Sequence, residues 1–175
     1  MSENVIETKN LKKHFSIKGM FKTKGYVHAV DGVDLTIKKG ESFGLVGESG
    51  CGKTTLGRLL LRLIENTDGE IYFKDKKISG QSDQNLTEYR KKVGVVFQDP
   101  FTSFDPRKLI IDGVGEPAII HKVQTKNLEK QVGDILEKVG MSREQMFRYP
   151  HEFSGGQLQR LAIARAMILN PEFVV

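Results

Sequence analysis

The stretch Gly47-Glu48-Ser49-Gly50-Cys51-Gly52-Lys53-Thr54-Thr55 combines residue types and spacing that suit phosphate chemistry. It is the pattern G-x-x-x-x-G-K-S/T. Glycines at 47, 50 and 52 permit a tight backbone loop whose amides, with those of a following helix N-terminus, converge on one point. A helix end carries roughly half a positive charge, so that point suits the phosphates of a nucleotide. Lys53 can reach the terminal phosphates, and the Thr54 hydroxyl can ligate magnesium. The plainer alternative is a Gly-rich strand-to-helix turn. Lys-Thr at the correct offset, between an apolar run and a helical pattern, favours the phosphate loop.

The loop can work only if its flanks hold it. Upstream, Phe43-Gly44-Leu45-Val46 reads as a buried strand, entered through the turn Lys38-Lys39-Gly40-Glu41; downstream, LGRLLLRLI reads as a helix. Before that strand, VIETKNLKKHF, YVHAV and VDLTI read as three short strands of a half-buried antiparallel piece. The basic segment SIKGMFKTKG between the first two is expected to be an elaborated hairpin loop. GEIYFK and VGVVFQ read as further strands separated by a short helix over LTEYRKK, and Val95-Val96-Phe97 is apolar on both faces, as in a central parallel strand. From DPFTSFDPR onward the pattern turns helical. Leu128, Val132, Ile135, Leu136 and Val139 mark one face of an amphipathic helix. FSGGQLQRLAIARAMILNPEFVV then gives a Gly-Gly helix entry, an Asn-Pro stop and the start of a buried strand.

Composition narrows the class. A hydrophobic share of 38% with 28% charged residues is globular. The formal charge of +5 is spread over short runs such as Lys12-Lys13, Lys38-Lys39 and Arg90-Lys91-Lys92. That pattern reads as a solvated surface and no nucleic-acid partner is expected. Cys51 is the single cysteine, which excludes an intrachain disulfide and fits a reducing compartment. The opening MSENVIETKNLKKHF lacks the apolar centre of a signal peptide. No apolar run approaches the ~18 residues of a spanning helix, so any membrane role is expected to run through a partner.

The further motifs are Ser154-Gly155-Gly156-Gln157 opening a helix and Gln98 closing the VGVVFQ run. With the phosphate loop upstream, they resemble the signature motif and Q-loop of ATP-binding cassette (ABC) ATPases. The resemblance implies an α/β P-loop core with a mixed sheet, an N-terminal antiparallel β subdomain and a helical signature subdomain. It implies a β-rich and phosphate-loop part over 1–105, a helical subdomain over 106–152, and the signature helix and start of a further strand over 153–175. It implies ATP and Mg2+ as ligands, Gln98 reaching magnesium and the attacking water, and Phe15 stacking on adenine, with Tyr26 as the competing aromatic. Ser154 to Gln157 are implied to close on the terminal phosphate held by the opposite subunit of a head-to-tail dimer. The physics suits that role, since a serine hydroxyl and glycine amides at a helix N-terminus make a second anion site.

HAVDGVDL, GESGCGKTTLGR, VVFQDPFTSFDPR and YPHEFSGGQLQR resemble, more narrowly, the ATPase subunits of oligopeptide and dipeptide importers. Implied partners are a second cassette, identical or paralogous, integral membrane permease subunits and, indirectly, an extracytoplasmic peptide-binding protein. The implied location is the cytoplasmic face of the cell membrane. Two departures are Phe153 for the more general signature leucine, which the importer type shares, and Leu158 where arginine is frequent. In the family, the strand begun by Phe173-Val174-Val175 continues into a magnesium-associated aspartate and a catalytic glutamate. The chain is expected to stop short of both, and so to bind nucleotide without useful turnover by itself. His121 and His151 read as ordinary polar residues. The rival readings are a soluble cassette ATPase of translation or DNA repair, a P-loop kinase or GTPase, and a nucleotide-binding fragment without hydrolysis. The GTPase reading leaves SGGQ and Gln98 unexplained, and the soluble cassette would want a tandem cassette or coiled-coil insertion.

Overall fold

A computed structural model describes residues 3–18, 23–123 and 125–175. The chain forms two compact units, one up to Tyr89 and one from Arg90.

The first unit is built on a long antiparallel hairpin, β1 (Asn4–Lys18) against β2 (Thr23–Lys38), extended on the β1 side by β3 (Asp68–Phe73) and β4 (Lys76–Lys77). The strand order is β2-β1-β3-β4. Two expectations are corrected. YVHAV and VDLTI are not separate strands: β2 runs through both, absorbing the interruption as register shifts around Val30 and Val33. Gly32, at φ 71°, supplies the backbone conformation that such a bulge requires. In the segment read as an elaborated loop, Ser16 to Lys18 and Thr23 to Gly25 instead stay in the strands; residues 19–22 lie outside the described residues. Val5, Ile6, Leu11, Ile37 and Ile71 are buried from this sheet.

Helix α1 (Lys53–Leu60) buries Leu56, Leu59 and Leu60. Its last turn is tied to the helix α2 (Thr87–Lys92) by the Tyr89 hydroxyl, which donates to the Leu60 carbonyl. The Tyr89 ring also meets Phe73 edge-on at 5.1 Å between centroids. Burial pushes the Tyr89 phenol well above its ordinary pKa, so the hydroxyl stays a donor.

Phe43-Gly44-Leu45-Val46 is the main departure from expectation. It is not a buried strand: residues 41–48 carry no strand pairing, and Phe43, Leu45 and Val46 are exposed. The apolar pattern is that of a buried strand, but no ladder forms on it among the described residues, and without one a strand has no place to bury its faces.

The second unit holds β5 (Val93–Gly94) parallel to β6 (Phe173–Val174), with register Val93 to Phe173. VGVVFQ is therefore a strand only in its first part, although Val96 N still donates to Val175 O at 2.9 Å. Phe97 is exposed instead of lying in a central strand. Helices α3 (Ile110–Ile120), α4 (Leu128–Lys138) and α5 (Gly155–Met167) surround one apolar cluster. Val132, Ile135 and Leu136 are buried as the helical period requires, with Leu128 and Val139 packed at its margin. Leu158 and Phe153 lie in the same cluster, which accounts for an apolar residue at each. Helix α5 stops as read: Asn170 takes φ 50° just before Pro171.

Candidate functional site

The phosphate-binding pattern sits where α1 begins. Gly52 is the residue before the helix, at φ 95°. A Cβ added there would lie 2.1 Å from the Ala29 carbonyl oxygen of β2. No side chain fits, and the left-handed backbone would disfavour one in any case. The glycine thus lets the loop press against the hairpin, a contact that the sequence pattern alone does not show. Gly50, at φ 83°, faces open space.

Leu56 N makes the first helical bond, to Gly52 O at 2.8 Å. The amides of Lys53, Thr54 and Thr55 therefore precede the helix ladder and are available to an anion. Lys53 Nζ donates to Gly47 O at 2.6 Å and to Glu48 O at 2.5 Å, and lies 3.4 Å from Cys51 Sγ. The ammonium is held across the loop by the loop's own carbonyls. Cys51 N closes the turn onto Glu48 O at 3.3 Å. Glu48, Ser49, Cys51 and Thr54 are exposed, while Gly52, Lys53 and Thr55 are half-buried.

Phe15 lies on β1 in register with Val27, and Ser16 with Tyr26. Successive residues alternate faces, so Phe15 and Tyr26 belong to opposite faces of the hairpin. Phe15 is 42% exposed, with the Lys13 ammonium 5.1 Å from its ring centroid. Ile17 and Val27 are also exposed; the sequence reading did not single them out, although Ile17 stands two residues from Phe15.

In the second unit Gln98 falls in a bend after β5 and is exposed. Ser154 caps α5, accepting from Gln157 N at 3.4 Å, while Gln157 Oε1 accepts from Ser154 N at 2.9 Å. This is a capping box, and it gives Gln157 a structural task. Gly155 packs beneath the Phe101 ring, 3.3 Å from where a Cβ would stand, whereas Gly156 faces open space. His151 is exposed and stacked on Tyr149 at 5.6 Å.

A glycine-bent loop gripping a lysine at the start of a helix defines a phosphate-binding α/β protein of the P-loop class. The particular family follows from comparison: the profile describing the ABC transporter family matches residues 30–175, and the chain belongs to that family. It is 46% identical over 178 residues to the oligopeptide transport ATP-binding protein OppF of Bacillus subtilis, covering 100% of this chain and 57% of that one. It is 45% identical over 167 residues to the dipeptide transport ATP-binding protein DppF of Haemophilus influenzae, covering 94% and 51%. The chain thus spans about half the length of the curated relatives it matches. Among solved structures, the ATP-binding cassette MJ0796, dimeric and bound to ADP and Pi, superposes with a TM-score of 0.84 at 30% identity, over 97% of this chain and 72% of that one. Among the described residues, no helix is long and apolar enough to cross a membrane.

Proposed function

We propose that the chain is the nucleotide-binding part of an ATPase subunit that couples ATP binding and hydrolysis to the import of oligopeptides or dipeptides. The observation that carries the nucleotide reading is the loop itself: Gly52, close against the Ala29 carbonyl, opens α1, and the Gly47 and Glu48 carbonyls grip the Lys53 ammonium beside it. The peptide reading rests on the OppF and DppF likenesses. The proposed sites are Gly47 to Thr55 for the phosphates and Phe15 for the base.

The donor set of the first unit fits a magnesium nucleotide: a hydroxyl at Thr54 and an open loop of amides around the lysine. Thr54 would hold the ion, whose contribution when bound is charge neutralisation on the transferring phosphoryl group; for Gln98 the magnesium role is the one the family resemblance implies. Lys53 and the loop amides orient the phosphates, and most of the work in such transfer is positioning. Ser154, Gly155 and Gly156, at the start of α5, are proposed to present a second anion site to the nucleotide of a partner cassette. Gln157 supports it by holding Ser154. The assembly would be peripheral at the cytoplasmic face of the membrane, with permease subunits and an extracytoplasmic peptide-binding protein as further components.

Lys53→Ala tests the reading. Titration with a fluorescent ATP analogue should show at least a tenfold loss of affinity with an unchanged melting curve, since the ammonium contacts only the loop and a single charged hydrogen bond is worth about 1.5–3 kcal/mol. Equal affinity would reject the phosphate-loop assignment. In membranes carrying the assembled transporter, the same substitution should abolish ATP-driven uptake of short peptides; uptake that never responds to peptide supply would reject the substrate class alone.

A further inference from the structure

His14 and His28 face each other across the β1–β2 ladder as a direct cross-strand pair. Their rings stack with centroids 3.9 Å apart and planes 25° from parallel. Asp31 stands three residues beyond His28, and a regular strand would send it to the opposite face. The register prevents this: one step along β1, from Lys13 to His14, takes two along β2, from Val30 to His28. The extra residue reverses the alternation, so the carboxylate returns to the imidazole face. His14 Nε2 lies 3.3 Å from Asp31 Oδ1, and His28 Nδ1 lies 3.4 Å from Asp31 Oδ2. One donor atom from each of the three residues falls within 4.8 Å of the others.

We propose that His14, His28 and Asp31 form a binding site for a divalent transition-metal ion of the zinc type. Bonds of about 2.0–2.2 Å to imidazole nitrogen and carboxylate oxygen, set at the tetrahedral angle, separate neighbouring donor atoms by about 3.4 Å. The two imidazole-to-carboxylate separations are close to that edge but end on different oxygens of Asp31, so a turn of the carboxylate, with the imidazoles rotating out of their stack, brings the three donors onto one ion. Two imidazoles and one carboxylate favour zinc and its borderline neighbours over magnesium or calcium, which take oxygen donors. His28 and Asp31 are exposed and His14 is half-buried, so an ion can enter and keep a coordination position for water or an external ligand. The backbone beneath is fixed: His14 N donates to Thr67 Oγ1 at 2.9 Å. Ala29, between His28 and Val30, is the residue whose carbonyl meets Gly52. The site therefore lies on the same stretch of β2 that supports the phosphate loop, but uses none of the residues assigned to nucleotide.

The test uses the whole chain, stripped of metal by a chelator and kept free of nucleotide. Titration with Co2+ should give a saturable isotherm with the visible absorption of a low-symmetry nitrogen and oxygen site, reversed by Zn2+ and not by excess Mg2+. His28→Ala and Asp31→Asn alter exposed side chains, so both variants should melt like the parent. Each should weaken binding by at least the ~10- to 100-fold that loss of an outer-shell partner costs. His151→Ala, an exposed imidazole of the other unit, should leave the isotherm unchanged. Failure to saturate, an isotherm indifferent to both ligand substitutions, or an equal loss with His151→Ala would each overturn the assignment.

Discussion

Phe15 and Tyr26 are adjacent in register, yet they stand on opposite faces of one hairpin, so a planar base can stack on only one of them. Phe15 has exposed apolar companions on its own face in Val27 and Ile17. Tyr26 shares its register position with Ser16 instead. Stacking buries the apolar faces of ring and base, so the exposed apolar neighbours of Phe15 add to the surface that a base can cover. Aromatic stacking is worth roughly 1 to 3 kcal/mol per base, so Phe15→Ala should weaken ATP binding by between several-fold and about a hundredfold. Tyr26→Ala should be nearly neutral. Titration of both variants with a fluorescent ATP analogue checks the ranking, and the reverse order would move the base to the other face.

At the scale of elements, helix α5 shows how one set of residues serves structure before it serves a ligand. Ser154 and Gln157 satisfy each other's backbone amides, and such caps are typically worth about 0.5–2 kcal/mol when replaced by alanine. Ser154→Ala should therefore lower stability to denaturant by about 1 kcal/mol, and Ser154→Asn, which can also cap, should retain most of it. If both variants unfold like the parent, the cap contributes nothing and the serine is kept for another reason. Much of this helix was legible beforehand: the Gly-Gly entry, the apolar period and the Asn-Pro stop all appear where the sequence places them. The face of α4 was legible for the same reason, since helix periodicity is a local signal. What was not legible depends on residues distant in sequence. The merging of YVHAV and VDLTI into one strand is decided by the pairing of β2 with all of β1. The need for glycine at 52 was visible as part of a motif, but its physical cause, the Ala29 carbonyl, comes from another strand. His14, His28 and Asp31 gave no sequence signal, because only a bulged register brings them to one face.

At the scale of the whole molecule, the segment leading into the phosphate loop decides how the chain behaves in solution. Phe43 and Leu45 are each close to half exposed and Val46 is 93% exposed. Their backbone forms no ladder with another strand among the described residues. An extended apolar segment with free amides and carbonyls is a template for pairing with another chain, and each Å² of apolar surface removed from water is worth about 25 cal/mol. The net charge of +5 opposes that association at long range, but over a distance that shrinks to a Debye length of about 8 Å at physiological salt. The chain should therefore bind a neutral hydrophobic dye such as Nile red and self-associate in sedimentation velocity, more so as salt is raised. Val46→Ser combined with Leu45→Ser should reduce both effects while leaving the melting temperature within error, because the side chains replaced are substantially wet. A chain that stays monomeric and dark to the dye at high salt would show that this segment is covered in solution; a double substitution that lowers the melting temperature would show that it is packed.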